Sequence, residues 1–390
     1  MTKGTCSFAG SRALSGLAVA AALVAACGGT SSGTAGGGSA QTTFLAQAQA
    51  NVQKDYRSTD RSPDTASRAG VKGKKIVVIS AGDEGESASV PVHAAMAAAQ
   101  ALGWQVTEYD EHLDPTRGPA LMRQAIAAGV DGIVVDANDC PLIKAPLQEA
   151  RAKHIAVVPM YAYDCDDALF GGGQPLFNGL IQFAQAGTPD QQAESYGAQQ
   201  ADAVIVATKA HARVVLFNDV EFTVLHYTGE GFKKELARCS DCKVVDEVDF
   251  KAAELGPTLQ QKAATALLQH SEANAVKIPY TAASLLGIAG AVVQSGRASQ
   301  LYVMGGEGFA DELDQIRTHR GVNAVNIISS EWTGWAAVDT LNSAFLNQPP
   351  KNSGIGWTLC DPANNLPAAG PFVPRVDFKA AYLRAWAVSG

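Results

Sequence analysis

The stretch Ala125-Ile126-Ala127-Ala128-Gly129-Val130-Asp131-Gly132-Ile133-Val134-Val135-Asp136 holds a helix end, a turn and a strand in close succession. Pro119 to Ala128 predicts a helix stopped by Gly129. Gly132 to Val135 is a short apolar run of the kind that a parallel sheet buries on both faces. The same order repeats on either side. Lys75-Ile76-Val77-Val78-Ile79 predicts a strand, Val90 to Leu102 a helix closed by Gly103, and Trp104-Gln105-Val106-Thr107 a second strand. Beyond Asp136, Pro141 to Lys153 predicts a helix and Ile155-Ala156-Val157-Val158 a strand. A second series begins at Val214-Val215-Leu216-Phe217. It continues through a helix at Gly229 to Arg238 and strands at Val244 to Val248, Val276 to Ile278, Leu301 to Met304 and Val325 to Ile328. Strands alternating with helices give an α/β chain with two doubly wound parallel-sheet lobes.

The composition narrows the function. With 390 residues, 47% of them hydrophobic, the chain has material for two or three packed cores. The 38 acidic and 30 basic residues leave a net charge of −8, which argues against a general nucleic-acid binder. The apolar run nearest membrane length, Ala13 to Ala26, is too short for a spanning helix. It follows Lys3 and Arg12 and ends in Leu23-Val24-Ala25-Ala26-Cys27, the layout of an export leader with a small-residue cleavage site. Residues 1–26 are therefore expected to be a signal peptide. Residues 27–73 are expected to be a flexible tether, Gly/Ser/Thr/Ala-rich from Gly28 to Ala40, with a short helix at Thr43 to Tyr56 and folded structure beginning near Lys74.

Outside the leader and Cys27 the chain keeps Cys140, Cys165, Cys239, Cys242 and Cys360, in a compartment that permits disulfides. Cys239 and Cys242 follow a helix rather than open one, which favours a local disulfide over a redox site. Cys140 and Cys165 follow adjacent strands and are expected to pair, leaving Cys360 as a buried structural cysteine. The histidines are scattered singly and there is no second CxxC, so no metal and no cofactor is expected. Gly85-Glu86-Ser87-Ala88-Ser89 lacks the spacing of a nucleophile elbow, and Gly171-Gly172-Gly173 is not followed by a phosphate-binding lysine. No enzyme is expected.

In open α/β sheets a ligand binds beyond the carboxyl ends of the strands. The residues there are polar: Asp83 and Glu86 after the first strand, Asp136 and Asp139 after the third, Tyr161 and Asp164 after the fourth. The second lobe adds His226, Thr281, Glu307 in Gly305-Gly306-Glu307-Gly308, and Trp332 after Ser329-Ser330-Glu331. Aromatic side chains cover the C–H faces of a sugar and carboxylates accept its hydroxyl protons. No arginine is among these residues, which argues against a carboxylate or phosphate ligand. A neutral sugar or polyol is the expected ligand, with a cationic amine as the alternative.

The Ala125–Asp136 stretch, followed by a helix and His154-Ile155-Ala156-Val157-Val158-Pro159, resembles the N-terminal lobe of ribose-type periplasmic sugar-binding proteins. Gly229-Glu230-Gly231-Phe232 resembles the family's helix start after the first strand of the second lobe, and Met304-Gly305-Gly306-Glu307-Gly308 its Gly-x-Asp-Gly turn. The leader resembles the lipobox of bacterial lipoproteins, which implies lipidation of Cys27 and attachment to the outer face of the cell membrane. The resemblance covers Lys74 to the C-terminus. It implies a class I periplasmic binding protein, a monomer with two lobes joined by a three-strand hinge, that hands its ligand to an ABC permease. A ligand-loaded sensor docking on a signalling receptor is the alternative partner. By position the first lobe takes residues 74–183 and 329–354 and the second 184–328 and 355–390, with hinge strands near Gln182 to Gln185, Ser329 to Ser330 and Ile355 to Leu359. The family's first-lobe asparagine falls on Asp136 and its Asp-Arg pair on Tyr161-Ala162, so the arginine that forks onto sugar hydroxyls is missing. In the second lobe the family's arginine falls on His226, its phenylalanine on Phe250, its asparagine on Thr281 and its turn aspartate on Glu307.

Overall fold

The protein is described from a computed structural model, which covers residues 36–388 apart from 65 and 67. The leader, Cys27 and the start of the Gly/Ser-rich segment lie outside the described residues. Among the described residues no helix is long and apolar enough to cross a membrane.

A helix, α1 (Gly36–Tyr56), precedes the first sheet. That sheet is built in the order β1 (Lys75–Ser80), α2 (Glu86–Ala101), β2 (Gln105–Asp110), α3 (Gly118–Ala127), β3 (Gly132–Asp136), α4 (Cys140–Ala152) and β4 (Ala156–Met160). The strands lie in the order β2-β1-β3-β4, all parallel. β3 and β4 are buried along their whole length and β2, at the edge, is half-buried. This explains why the inner strands read as unbroken apolar runs and β2 does not.

The second sheet repeats the plan with α5 (Pro189–Ala207), β5 (Arg213–Asp219), α6 (Thr223–Leu236), β6 (Lys243–Phe250), α7 (Pro257–Gln269), β7 (Ala275–Lys277), α8 (Thr281–Ala283), α9 (Ala289–Gln294), β8 (Tyr302–Met304) and α10 (Ala310–Arg317). Its order is β6-β5-β7-β8, again parallel. β9 (Val325–Ile327) pairs antiparallel with β10 (Thr358–Cys360). Between them α11 (Ser330–Phe345) returns to the first lobe, where Trp332, Trp335 and Leu341 join Val78 and Val158 in one core.

Three expectations are corrected. The first is the free tether to residue 73. Ala48 and Val52 of α1 are buried in the second-lobe core with Val204, Phe232 and Leu236. The chain then crosses to the first lobe as a strap: the N–H groups of Thr59, Arg61 and Asp64 donate to the carbonyls of Trp357, Gly354 and Asn352 at 2.8–2.9 Å. Arg68 forms a buried ion pair with Asp339, and the Gly70 N–H reaches Trp386. Gly354, at φ +78°, is required here, because a Cβ would stand 2.1 Å from the Arg61 carbonyl oxygen. Backbone hydrogen bonds of this kind leave no hydrophobic period in the sequence, so the strap reads as irregular.

The second correction is the assignment of residues 355–390 wholly to the second lobe. α12 (Phe378–Ala385) belongs to the first: Phe378, Tyr382 and Trp386 share its core, and Trp386 stacks on Trp335 with ring centres 5.6 Å apart. Two segments thus cross between the lobes beyond the three expected strands, one before β1 and one before α12. Of the expected strands, Gln182 bridges Asn352 and the Ala184 N–H donates to Ile355 at 2.7 Å.

The third is the helix start at Gly229. α6 begins at Thr223, and Gly229 and Gly231 lie inside it. For Gly231 the reason is packing against α5: a Cβ there would stand 1.9 Å from the Glu194 carbonyl oxygen, and one on Gly197 1.9 Å from that of Thr228.

Cys140 is disulfide-bonded to Cys165 and Cys239 to Cys242, while Cys360 is free and buried.

Candidate functional site

The carboxyl edges of the two sheets face each other across a cavity of about 220 Å³. The first lobe supplies Gly82, Glu84, Gly85, Ser87 and Ala88 after β1, Asp136 and Ala137 at the end of β3, and Tyr161 to Tyr163 after β4. The second supplies Phe222, Val224 and Leu225 around the start of α6, Tyr280 and Ala282 beyond β7, and Glu307 beyond β8. Trp357, Phe183 and Ile328 close the hinge side, with Tyr196 of α5. Ala137 and Tyr161, each the first residue beyond its strand, have left-handed backbones at φ +55° and +51°. Such strain in a residue with a Cβ is concentrated at functional sites.

Two carboxylates, one from each lobe, dominate the polar end. Asp136 is 2% exposed, and its Oδ1 has no hydrogen-bond partner among the described residues. Burial holds its carboxyl well above the usual range; the charges of Glu111 and Glu307 act the same way, against one N–H bond from Ala81. Burial also pushes Glu307 up to about 7, opposed by the Thr281 N–H and reinforced by the Glu312 carboxylate. Lys277 at the end of β7 is buried, and desolvation draws it down to about 8 against the attraction of Glu307.

The lobes touch on both sides of this cavity. Ser87 Oγ of α2 donates to Glu307 Oε2 at 3.2 Å, and the Thr223 N–H at the start of α6 donates to Asp139 Oδ2 at 3.2 Å. Tyr227 donates to Asp167 at 2.6 Å, and its ring lies 5.1 Å from that of Tyr163. The clamshell is shut.

Of the residues the sequence offered as ligand contacts, the cavity gathers Asp136, Tyr161 and Glu307. The others lie elsewhere. Asp139 latches the lobes as just described. Asp164 is buried under its own loop, accepting from the N–H groups of Cys165, Leu176 and Phe177. Phe250 is 1% exposed in the second-lobe core, behind Tyr280 at a ring distance of 6.1 Å. Thr281 is buried and donates to Glu312 at 2.6 Å. Trp332 is fully buried, stacked on Phe378 at 4.9 Å, because α11 turns its apolar face into the first-lobe core. His226 is exposed and packs its ring edge on Tyr227. Asp83 accepts from Ser80 Oγ at 3.0 Å, and Glu86 lies beside Asp311 at the rim.

Sequence reasoning missed the walls. Tyr163, Tyr196, Tyr280, Phe222, Leu225, Leu286 and Trp357 all face the cavity. Tyr163 and Tyr280 sit one or two residues from positions the strand-end rule had singled out. The others come from helices and the hinge, where no local pattern marks a cavity-facing residue.

Comparison with known proteins agrees with this architecture. Residues 75–348 match the model of the periplasmic binding protein domain. A search of curated proteins finds no match. Among solved structures, a 5-methylthioribose transporter solute-binding protein from Thermotoga lettingae is similar at 20% identity and a TM-score of 0.65, covering 83% of this chain and 99% of its own. A glucose-galactose binding protein from Geobacillus stearothermophilus is similar at 17% identity and TM-score 0.63, covering 74% and 97%. A Bacillus halodurans ABC transporter solute-binding protein with bound myo-inositol gives 15% identity and TM-score 0.63, covering 76% and 97%. With the matched domain spanning both sheets, the chain belongs to the periplasmic binding protein family.

Proposed function

We propose that the protein is an extracytoplasmic solute-binding protein that captures a sugar or polyol between its lobes and delivers it to the permease of an ABC importer. The observation that carries this reading is the pair of carboxylates, the buried Asp136 and the half-buried Glu307, set by opposite lobes on one cavity between them. A carboxylate accepts hydroxyl protons in two directions, and a ligand bonded to both lobes holds the closed state. Tyr161 is the third proposed contact, its ring offering a face to the C–H side of the ligand. Ligands named for the similar structures, 5-methylthioribose, glucose-galactose and myo-inositol, belong to the same hydroxyl-rich class. Family membership supports capture without chemical conversion.

The leader ending at Cys27 supports export and a lipid anchor on the outer face of the cell membrane, with the binding body working as a monomer. Loss of radioactive palmitate incorporation in Cys27→Ser is the expected result for the anchor. For the ligand, neutral sugars, polyols, amines and organic acids are to be screened by thermal shift. Saturation at about 100 times the dissociation constant adds about 2.7 kcal/mol of stability. Shifts by hydroxylated solutes are expected; shifts confined to organic acids or to amines would overturn the reading. Co-purification with a permease separates import from docking on a signalling receptor.

A further inference from the structure

The cavity is poorly equipped for a bare sugar. A free pentose or hexose presents hydroxyls all round its ring, and each one pressed against hydrocarbon loses water without replacement. Most hydroxyl donors on these walls are already committed within the protein. Tyr161 donates to Ser330 Oγ at 3.0 Å, Tyr196 to the Asn326 carbonyl at 2.5 Å and Tyr280 to Asp219 at 2.8 Å. Gln192 gives its amide to the carbonyls of Gln185 and Gly187. Two buried polar atoms on the cavity residues have no partner among the described residues: Oδ1 of Asp136, and the indole Nε1 of Trp357 on the hinge side.

The second-lobe wall is of another character. Phe222 and Leu225 at the start of α6, Leu255 before α7 and Leu286 in the turn after α8 line it with hydrocarbon. Leu286 is 43% exposed, a large apolar side chain turned to a cavity rather than packed, and its backbone departs from helical geometry (φ −98°, ψ 24°) within a π-type turn. Such turns recur at functional sites. At about 220 Å³ the cavity is smaller than the roughly 300 Å³ at which sites for drug-sized ligands begin, which limits the guest to a monosaccharide-sized head with a short extension.

We propose that the ligand is amphipathic: a sugar or polyol head held by Asp136, Glu307 and Trp357, carrying a short alkyl, thioalkyl or aryl substituent seated against Phe222, Leu225, Leu255 and Leu286. This rests on the sugar-or-polyol reading above and narrows it. The substituent covers hydrocarbon that a bare sugar would face with hydroxyls, and it reaches the second lobe. Closure is therefore favoured by apolar contact as well as by the bond to Glu307.

The test is calorimetric titration of the protein with D-ribose, L-arabinose, D-galactose and myo-inositol beside the propyl and phenyl glycosides of the three sugars, with phenethylamine as the amine probe. At least one substituted sugar is expected to bind about tenfold or more tightly than its parent. In Leu225→Ser, and separately in Leu286→Ser, whose partly exposed position tolerates the change, the ratio of substituted to parent affinity is expected to fall toward one. Parent sugars binding as tightly as their glycosides overturn this inference and leave the sugar reading standing. Binding of phenethylamine alone overturns both, and silence across the panel overturns the inference.

Discussion

Asp136 combines a cost to folding with a use in binding. Its carboxyl is buried beside Glu111 and Glu307 with one oxygen unpartnered, so the charged form is disfavoured in the unliganded protein. Asp136→Asn keeps an acceptor for the Ala81 N–H and removes the charge. The expected outcome is a higher melting temperature at pH 8 together with about tenfold or greater loss of sugar affinity, since a bond to a charged acceptor contributes about 1.5–3 kcal/mol. Calorimetry with and without ligand reads both; a lower melting temperature would count against the burial argument. Arg68 is the opposite case. It and Asp339 are nearly fully buried, and Asp339 also accepts from Trp386 Nε1 at 2.8 Å, so the pair ties the strap to α11 and α12. Arg68→Met leaves an uncompensated carboxylate in the core and is expected to cost about 3–5 kcal/mol in urea unfolding. The double change with Asp339→Leu is expected to recover most of that loss, because the cost lies in the orphaned charge rather than in the missing attraction.

Among the elements, α5 and α6 approach closely enough for small residues to be obligatory. Gly231→Ala would gain about 1 kcal/mol of helix propensity on an isolated α6. Its methyl would meet the Glu194 carbonyl at 1.9 Å, and backbone cannot swing aside as a side chain does. Overpacking costs typically about 1–3 kcal/mol, so a net destabilisation is expected in denaturant unfolding, whereas a gain would mean that the helices separate freely. The same helix marks the limit of reading from sequence. Gly229 and Gly231 look like a helix start because glycine disfavours helix interiors, and only the partner helix explains Gly231, whereas a Cβ at Gly229 would meet nothing within 4 Å. The inner strands were legible because burial on both faces writes an apolar run, and Asp136, Tyr161 and Glu307 were legible because they lie at or within three residues of strand ends. Trp332 and Phe250 also lie close to strand ends, yet their side chains turn into the lobes' cores. Tyr196 and Trp357 reach the cavity from a helix and a hinge strand, positions set by how the lobes meet. The strap at residues 57–70 is held largely by backbone pairing and one buried ion pair, and neither has a periodic signature.

At the scale of the whole molecule, the buried carboxylates act together on stability. Burial pushes Asp55 and Asp202, which face each other between α1 and α5, up to about 7 each; it pushes Glu111 to about 8 and Glu307 to about 7. In the unfolded chain such groups titrate near 4. Between pH 5 and pH 8 the folded protein therefore holds more protons than the unfolded chain, and stability falls as pH rises through that window. Lys277 works in reverse above it: its folded value of about 8 lies below the unfolded one near 10, so from pH 8 upward the unfolded chain holds the extra proton and stability rises again. Carboxylates held low by cationic or N–H neighbours, such as Asp131 and Glu230, act only below about pH 4–5 and leave the window untouched. The melting temperature of the unliganded protein is thus expected to be higher at pH 5 than at pH 8, at constant ionic strength. Asp55→Asn is expected to flatten the decline by removing one of the acids, and it does so at the docking of α1, far from the cavity. A profile that is level or climbs from pH 5 to pH 8 would mean that these carboxylates are hydrated in the folded protein, with α1 loose on α5 and the lobes apart.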